Sequence, residues 1–393
     1  MSLSVTGGIP NGSIEVVDCS DPANVQLRIK RDDGPDPLAV GYYCFRATGA
    51  RGVACVFRLL NAGTDAKERL AGREDYEDEW TNTGPHVSYD RKYWFRVPGR
   101  LEGASYIFEH TPEHDTCYYA KWAPYPLDRE LDLIARCATR PGVTVETVGR
   151  TLQGAELTLL RVGEPAADRR VCWVIARQHP SEMMGGYFVE GLLERLVDPL
   201  DAVARELLRR AVFYIVPNMN PDGAALGLTR CNGAGVNLNR EWQSPSIERS
   251  PEVIHVRARM EATGVDFCLD VHGDEELRCV FLGGPLEIPS RSERLTGLFR
   301  RFELAWAAAT PEYELGHPYP GGAPAQADLR MAWNWIAERF GCLSVLLEQP
   351  FKDTSWWQDP GRGWTPERAL RLGASLPQAI LGVVSTLRSL TGM

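Results

Sequence analysis

The sequence predicts an all-β antiparallel sandwich over residues 1–123, followed by an α/β domain with a mixed sheet over residues 124–393. Up to about residue 122, short extended runs rich in aromatic and β-branched residues alternate with turn residues, a pattern typical of antiparallel strands. Beyond Pro124, longer helical patterns alternate with strands that are almost continuously apolar, as expected when both faces of a sheet are covered. The length of 393 residues also exceeds the usual size of a single domain.

The predicted elements follow from these local patterns. The first part has strands predicted over 13–18, 24–30, 40–48, 92–99 and 117–124, and a weak helix signal over 64–72. In the second part, Asp128 is expected to cap a helix over 129–137, and further helices are predicted over 183–196, 250–264 and 291–306. Four strands are predicted at 169–177, 211–219, 266–272 and 342–348. Because ligands of α/β sheets bind beyond the carboxyl ends of the strands, the residues that follow these four strands are the functional candidates.

Composition excludes several classes of partner. The apolar share of 44% and the charged share of 24% are ordinary for a globular protein with a core. A net charge of −9 argues against nucleic acid or an anionic membrane as the main partner. The N-terminus lacks the features of a signal peptide, and no window approaches the ~18 consecutive apolar residues of a membrane span. Ten scattered cysteines without a Cys-x-x-Cys pair are predicted to be reduced thiols, so we expect a cytoplasmic protein.

Three residues form a candidate zinc site. His179 and Glu182 follow the strand 169–177 and are three residues apart, so on a helical turn their side chains share one face. Taken alone, this pair is better interpreted as solvated, because the spacing is frequent by chance. His272, however, ends the strand 266–272. Two histidines and a glutamate are the protein ligands of hydrolytic zinc sites, which leave one position for water. The sequence therefore predicts one Zn²⁺ per chain.

Further polar groups follow the other two strands. The strand 211–219 leads to Arg230 and to the pair Asn239–Arg240. A turn-rich loop with solvated arginines is one interpretation, but an Asn–Arg pair beside a metal can also hold a carboxylate through two parallel hydrogen bonds. Glu348 ends the strand 342–348. A carboxylate in that position is costly unless it is paired or used, and general-base catalysis is one such use.

Together these segments resemble the zinc metallocarboxypeptidase family, specifically bacterial-type members of its cytosolic carboxypeptidase (deglutamylase-like) branch. The matching segments occur in family order: RQHPSE (177–182), NPDG (220–223), TRC (229–231), GVNLNREW (235–242), DVHGDEEL (270–277) and LLEQPFKD (346–353). In the first part, KYWFRVPG and YYAKWAPYP are similar to the N-terminal β-sandwich of that branch. The resemblance implies a mixed-sheet carboxypeptidase (phosphorylase/hydrolase-like) domain after the sandwich, and a peptide or protein C-terminal tail as substrate.

The resemblance also implies a role for each residue. His179, Glu182 and His272 would bind the zinc. Glu348 would act first as the general base and then as the acid that protonates the leaving amine. Arg230 would polarise the scissile carbonyl, and Asn239 with Arg240 would hold the terminal carboxylate of the substrate.

The resemblance also bears on specificity, on one departure from the family and on one family residue without a match. Members of the branch often prefer acidic side chains, and Arg330 is the candidate cation for that preference, with an exposed arginine on a helix as an equal alternative. Asn237 stands where pancreatic members have an aspartate, so the first zinc histidine is expected to lack the support of a full charge. The substrate-closing tyrosine of pancreatic members has no secure match, although Tyr313 and Tyr319 lie in a loop that could supply it.

Two other functions compete with a carboxypeptidase. An N-acyl amino acid amidohydrolase, similar to aspartoacylase or succinylglutamate desuccinylase, uses a comparable zinc site but does not explain the N-terminal sandwich. A non-catalytic protein that binds acidic tails is the second alternative, and it is disfavoured because Glu348 and all three metal ligands are present. Self-association as a homo-oligomer and the role of the N-terminal part stay open.

Overall fold

The computed structural model describes residues 2–36, 40–63, 77–317 and 325–387. The weak helix signal at 64–72 and Tyr319 therefore lie outside the described residues. Within these ranges, the chain forms two five-stranded sheets, followed by a seven-stranded sheet with helices on both faces. The predicted fold class, a β-sandwich that precedes a mixed α/β domain, is confirmed.

The first ten strands form the sandwich. They are β1 (Ser4–Thr6), β2 (Glu15–Asp18), β3 (Val25–Arg28), β4 (Cys44–Thr48), β5 (Cys55–Leu59), β6 (His86–Ser88), β7 (Phe95–Arg96), β8 (Gly99–Glu102), β9 (Ser105–His110) and β10 (Thr116–Ala120). One sheet has the order β1-β4-β10-β6-β7, and the other has the order β2-β3-β5-β9-β8. All pairs are antiparallel except β3 with β5, which are parallel because β4 crosses to the other sheet between them.

The inner faces of the two sheets pack through aromatic residues. Phe45 of β4 lies against Phe57 of β5, with ring centroids 5.5 Å apart, and against Tyr119 of β10 at 5.1 Å. Phe57 stacks in turn on Phe108 of β9. Along β5 and β10, buried residues alternate with half-buried ones, which explains the period-two pattern of the sequence.

The central sheet of the second part has the order β11-β12-β14-β13-β15-β17-β16. Its strands are β11 (Val143–Arg150), β12 (Glu156–Val162), β13 (Arg170–Ala176), β14 (Ala211–Val216), β15 (Phe267–Asp274), β16 (Phe281–Gly283) and β17 (Leu343–Pro350). The neighbours β14, β13, β15 and β17 run parallel, so their carboxyl ends meet at one edge. The outer strands β11, β12 and β16 are antiparallel to their neighbours.

Eight described α-helices cover or flank this sheet. They are α1 (Leu127–Ala138), α2 (Met184–Leu196), α3 (Ala202–Arg210), α4 (Pro221–Leu226), α5 (Pro251–Thr263), α6 (Glu293–Ala309), α7 (Ala332–Phe340) and α8 (Pro366–Val383). One apolar core includes residues of α2, α6 and α8, and a second includes residues of α5 and α7 on the other face of the sheet. No helix in the described part of the chain is long and apolar enough to cross a membrane.

The cysteines are free thiols, and all except Cys19 are buried. Burial raises the pKa values of several of these thiols, for instance that of Cys44 to about 12. These positions agree with the prediction of free, buried cysteines.

Candidate metal centre and active site

The two parallel strands β13 and β15 carry the predicted metal ligands to the same edge of the sheet. After β13 ends at Ala176, the chain turns at Arg177, whose φ of 58° is unusual for a residue with a side chain. His179 and Glu182 lie in the turn that follows, where the Glu182 N–H donates to the His179 carbonyl at 3.3 Å. His272 lies on β15, two residues before the end of that strand. Both buried strands therefore bring ligands to the same edge of the sheet, since His179 and Glu182 follow β13 and His272 lies near the carboxyl end of β15.

His179, Glu182 and His272 form a compact, buried group. One ligand atom from each lies within 4.8 Å of the other two. Nδ1 of His179 is 2.6 Å from one carboxylate oxygen of Glu182, and Nδ1 of His272 is 2.9 Å from the other. Two imidazole nitrogens and a carboxylate converging in this way are the donor set that zinc prefers in hydrolytic sites. The residues therefore fit Zn²⁺.

Burial and neighbouring charges set the protonation of these ligands. Burial lowers the pKa of His179 to about 4, although Glu182 opposes that effect. Burial alone would also lower the pKa of His272, but Asp270 and Glu182 raise it well above its usual value. The pKa of Glu182 falls to about 2 despite its burial, because the two histidines favour the carboxylate. At neutral pH, the ionised Glu182 and the neutral His179 are thus in the form that binds a metal.

A buried carboxylate orients His272. Nε2 of His272 lies 3.0 Å from Oδ1 of Asp270, which is fully buried. The Gln178 amide donates to both oxygens of Asp270, at 2.8 and 2.9 Å, and its own oxygen accepts from Nε1 of Trp242 at 2.8 Å. This arrangement fixes Nε2 of His272 as the protonated nitrogen, so Nδ1 faces the metal position. This role of Asp270 was not predicted from the sequence, although its position two residues before His272 on a strand was an available signal.

An amide orients His179. Nε2 of His179 is 3.1 Å from Oδ1 of Asn237, as expected for an asparagine in this position. The Asn237 amide nitrogen donates at 2.8 Å to Asp36, which belongs to the segment between β3 and β4. Asp36 thus supports His179 through Asn237, whereas the resemblance to pancreatic members implies a carboxylate in direct contact with that histidine. No pattern in the sequence indicated Asp36, which is 201 residues from Asn237.

The remaining predicted site residues lie around this centre. Glu348 is on β17 directly opposite His272 in the register of the parallel pair, and it is 8% exposed. Nδ2 of Asn239 is 3.3 Å from Nε2 of His272, and the oxygen of the same amide accepts from the backbone of Ala332 at 2.8 Å. Arg230 is largely buried, with its Nε 3.1 Å from Asp36.

Two arginines and a tyrosine complete the set of predicted residues. Arg240 follows Asn239 in a short 3₁₀ turn and donates to the Asn239 carbonyl at 2.7 Å. Arg330 is exposed and makes a two-pronged ion pair with Asp328, at 2.9 and 2.8 Å, in the turn before α7. Tyr313 is 4% exposed, and its hydroxyl donates to Glu303 at 3.2 Å.

Comparisons with known proteins agree with this geometry. Residues 5–122 match the model of the cytosolic carboxypeptidase N-terminal domain, and residues 132–349 match the model of the zinc carboxypeptidase family. The second match covers more than half of the chain, and its range contains all three predicted metal ligands. The chain therefore belongs to the zinc carboxypeptidase family, and it is a metallocarboxypeptidase whose zinc ligands are His179, Glu182 and His272.

Individual relatives are similar over nearly the whole chain. An uncharacterised protein of Zymomonas mobilis is 40% identical over 95% of this chain and 94% of its own length. The crystal structure of a metallo-carboxypeptidase from Burkholderia cenocepacia has a TM-score of 0.91 at 40% identity, covering 98% of this chain and all of that one. A metallo-carboxypeptidase from Pseudomonas aeruginosa, in complex with (2-guanidinoethylmercapto)succinic acid, has a TM-score of 0.90 at 37% identity, with 98% and 100% coverage.

Animal relatives share a smaller part. Cytosolic carboxypeptidase 1 of Danio rerio is 32% identical over 52% of this chain, and the aligned region is only 20% of that protein. The similarity to a family model of zinc carboxypeptidases, together with the matched N-terminal domain, favours a carboxypeptidase over the N-acyl amino acid amidohydrolase considered from the sequence.

Proposed function

We propose that this metallocarboxypeptidase removes C-terminal residues from peptides or protein tails, with Glu348 as its general base and Arg230, Asn239 and Arg240 as its anion-binding groups. The observation that carries the proposal is the pairing of His272 with Glu348 on adjacent parallel strands, directly beside the converged zinc ligands. Bound zinc would polarise the scissile carbonyl and lower the pKa of water.

Glu348 moves the protons in the proposed reaction. Its carboxylate takes a proton from the attacking water as the water oxygen forms a bond to the carbonyl carbon. It then delivers that proton to the leaving amine as the C–N bond breaks, so the carboxylate is regenerated at the end of the cycle. A position at the end of a buried strand, 8% exposed, gives the carboxyl little freedom to leave this place.

Arg230 and Arg240 provide positive charge in an acidic protein. Burial lowers the pKa of the Arg240 guanidinium, and the charge of Arg230 lowers it further, which indicates that the two cations face a common region. In the proposal, Arg230 stabilises negative charge on the carbonyl oxygen in the transition state. Asn239 and Arg240 bind the terminal carboxylate, which restricts cleavage to the last peptide bond. The carboxylates of the succinic acid in the Pseudomonas aeruginosa complex support an anion-binding site of this kind.

For specificity, we propose a preference for acidic C-terminal side chains in which Arg330 takes part. Arg330 contributes to the electrostatic environment of Arg240, so it lies near the same region. Its present partner is Asp328, and a substrate carboxylate would have to share or replace that ion pair. A preference for basic side chains, bound by Asp328, is the alternative outcome.

The first experiment tests catalysis. Glu348→Gln is expected to lower kcat by about 10²–10⁴-fold, because proton transfer by a positioned group contributes a factor of that size. The zinc content, measured by metal analysis of the purified protein, should stay at that of the unsubstituted enzyme. Hydrolysis of a peptide at an unchanged rate by Glu348→Gln would contradict the proposed mechanism.

The second experiment tests specificity with peptides that differ only in a C-terminal Glu, Lys or Phe. We expect the highest kcat/KM for Glu, and a selective loss for that peptide in Arg330→Ala. Arg339→Ala is the matched control, because Arg339 also makes an exposed two-pronged ion pair, with Glu261. If Lys- or Phe-terminated peptides were preferred and Arg330→Ala left the order unchanged, the acidic preference would be abandoned. Assays of N-acetylaspartate and N-succinylglutamate separate a carboxypeptidase from an amidohydrolase.

The cellular context is also part of the proposal. The reduced, buried cysteines support a cytoplasmic enzyme. We propose that the boundary between the two domains lies between residues 123 and 124. Expression of the N-terminal sandwich alone, residues 1–123, would test whether it folds independently. Loss of cooperative unfolding in both halves would argue against this division.

A further inference from the structure

A segment of the N-terminal sandwich reaches the catalytic residues. It leaves β3 after Arg28 and is described up to residue 36 before the chain returns as β4. Within it, the carboxylate of Asp32 accepts three consecutive backbone N–H groups, from Thr229 at 2.8 Å, Arg230 at 2.6 Å and Cys231 at 2.8 Å. This buried carboxylate therefore fixes the backbone of Arg230 from the other part of the chain.

Asp36 in the same segment contacts two side chains of the site. One of its oxygens accepts from Nε of Arg230 at 3.1 Å and from the amide nitrogen of Asn237 at 2.8 Å. The Asp36 and Arg230 side chains are 17% and 15% exposed, so water screens this ion pair only in part. A single carboxylate thus connects Arg230 to the residue that supports the first zinc ligand.

The contact with Asn237 has a consequence for His179. Because Asp36 accepts from the Asn237 amide nitrogen, the amide oxygen must face the other way, where it accepts from Nε2 of His179 at 3.1 Å. Without Asp36, only the backbone N–H of Asn239, which donates to the same oxygen at 3.0 Å, would oppose a rotation of Asn237 that presents its NH₂ group to the N–H of His179. The protonated nitrogen of His179 would then lose its acceptor, and Nδ1 would be less firmly directed at the metal position.

Two glycines allow the backbone of this segment to approach the loop that contains Asn237. A Cβ atom on Gly34, whose φ is 101°, would lie 2.1 Å from the carbonyl oxygen of Gly235. A Cβ atom on Gly235, whose φ is 71°, would lie 2.7 Å from the carbonyl oxygen of Asp33. Only glycine permits this approach of two backbones at these conformations. The contact anchors the segment next to Asn237, two residues after Gly235.

We propose that Asp36 is a positioning residue of the active site, which aims the Arg230 guanidinium and fixes the orientation of Asn237 behind His179, so that the N-terminal sandwich completes the catalytic centre. The effect on Arg230 rests on the catalytic role proposed for that residue. The effect on His179 rests only on the zinc site, so it can be measured without any hydrolysis.

The experiment compares Asp36→Ala and Asp36→Asn with the unsubstituted full-length chain. The zinc dissociation constant is measured by competition with a chromophoric chelator, kcat and KM with a Glu-terminated peptide, and the thermal unfolding midpoint by circular dichroism. Asp36→Ala should raise the zinc dissociation constant by about 10–100-fold, the usual range for loss of an outer-shell partner. It should also lower kcat measured at saturating zinc by at least about 10-fold, with a smaller change in KM, because Arg230 acts on the transition state.

The isosteric Asp36→Asn variant removes the charge but keeps one acceptor, so its effects should be smaller and of the same sign. Asp33→Asn is the matched control, because Asp33 lies in the same segment and its side chain is exposed. Gly34→Ala should reproduce the loss of zinc affinity without altering any polar side chain, because its Cβ would push the segment away from Gly235. If Asp36→Ala is poorly folded, the proposal is decided by Asp36→Asn and Gly34→Ala, provided that their unfolding midpoints equal that of Asp33→Asn.

The outcomes separate the proposals. An unchanged zinc dissociation constant and unchanged kcat in folded Asp36 variants would overturn the positioning role, even if the unfolding midpoint fell. If the unsubstituted enzyme failed to hydrolyse any peptide, the proposed function would fail, but the zinc measurement would still decide the connection from Asp36 through Asn237 to His179. Equal losses in Asp33→Asn would show a general charge effect and would also contradict the proposal.

Discussion

Replacing Asp270 by asparagine tests how strongly the site depends on the orientation of its second histidine. Asp270 is fully buried and accepts from the Gln178 amide at 2.8 and 2.9 Å and from Nε2 of His272 at 3.0 Å. Asparagine has the same shape but offers only one acceptor oxygen and adds an NH₂ group. In either orientation of that group, a buried donor of Gln178 or of His272 faces another donor.

The magnitude follows from the cost of that mismatch. A buried donor without an acceptor costs about 1–3 kcal/mol, and more when the lost partner was charged. Since each ~1.4 kcal/mol changes an equilibrium constant tenfold, zinc affinity should fall by about 10–100-fold. This range agrees with the effect expected for loss of a carboxylate behind a metal-bound histidine.

The assay is competition for zinc with a chelator at pH 8, on protein whose fold is checked by circular dichroism. Asp266→Asn is a suitable control, because Asp266 precedes the same strand and accepts from the backbone of Val171 at 2.8 Å, at the end remote from the ligands. It should leave the zinc dissociation constant unchanged. A folded Asp270→Asn protein that bound zinc as tightly as the unsubstituted chain would refute the reasoning, since His272 would then be oriented by other contacts.

Three further predictions concern stability. Burial raises the pKa of Glu252 from 4.5 to about 7, so the folded state retains a proton that the unfolded state has lost, and stability falls as pH rises through that interval. Glu252→Gln should remove this loss. The unfolding free energy of the variant, relative to that of the unsubstituted chain, should therefore increase by up to about 1.4 kcal/mol per pH unit between pH 4.5 and 7 and then stay constant. Urea unfolding at several pH values is the measurement, and a difference that does not depend on pH would contradict the raised pKa. Gly373→Ala should destabilise the fold by about 1–3 kcal/mol, because its Cβ would lie 1.9 Å from the Phe188 carbonyl oxygen where α8 crosses α2. Gly297→Ala on α6 should instead stabilise the fold by about 0.5–1 kcal/mol, because the nearest heavy atom to its Cβ would be 3.7 Å away. The urea midpoints of the two glycine variants should therefore move in opposite directions, and a shift in the same direction would contradict the packing argument.

Local patterns were sufficient for much of the fold and for the metal ligands. Strands such as β13 and β17 were predicted within about two residues at each end, because strands covered on both faces are apolar throughout. The three-residue spacing of His179 and Glu182 was sufficient to predict a shared direction, since it is a local property of one turn. The roles of Arg230, Asn239, Arg240 and Glu348 came from resemblance and remain predictions.

The parallel pair β3/β5 could not be predicted, because sheet pairing depends on which strand crosses between layers and not on the pattern of either strand. The partner of Arg330 was also unpredicted. Asp328 is only two residues away, but many surface arginines have a nearby acid, and the sequence does not tell which of them form an ion pair.

The sequence by itself determined the family-level chemistry, because zinc ligands must be specific residue types and a parallel sheet brings the ends of its strands together. Only the tertiary structure decided what stands behind those ligands. Asp270 supports His272 from two residues earlier on the same strand, whereas Asp36 reaches Asn237 and Arg230 over separations of 201 and 194 residues. Such contacts leave no periodic trace, because they arise when two separately patterned parts of the chain pack against each other and each must satisfy the buried polar groups of the other.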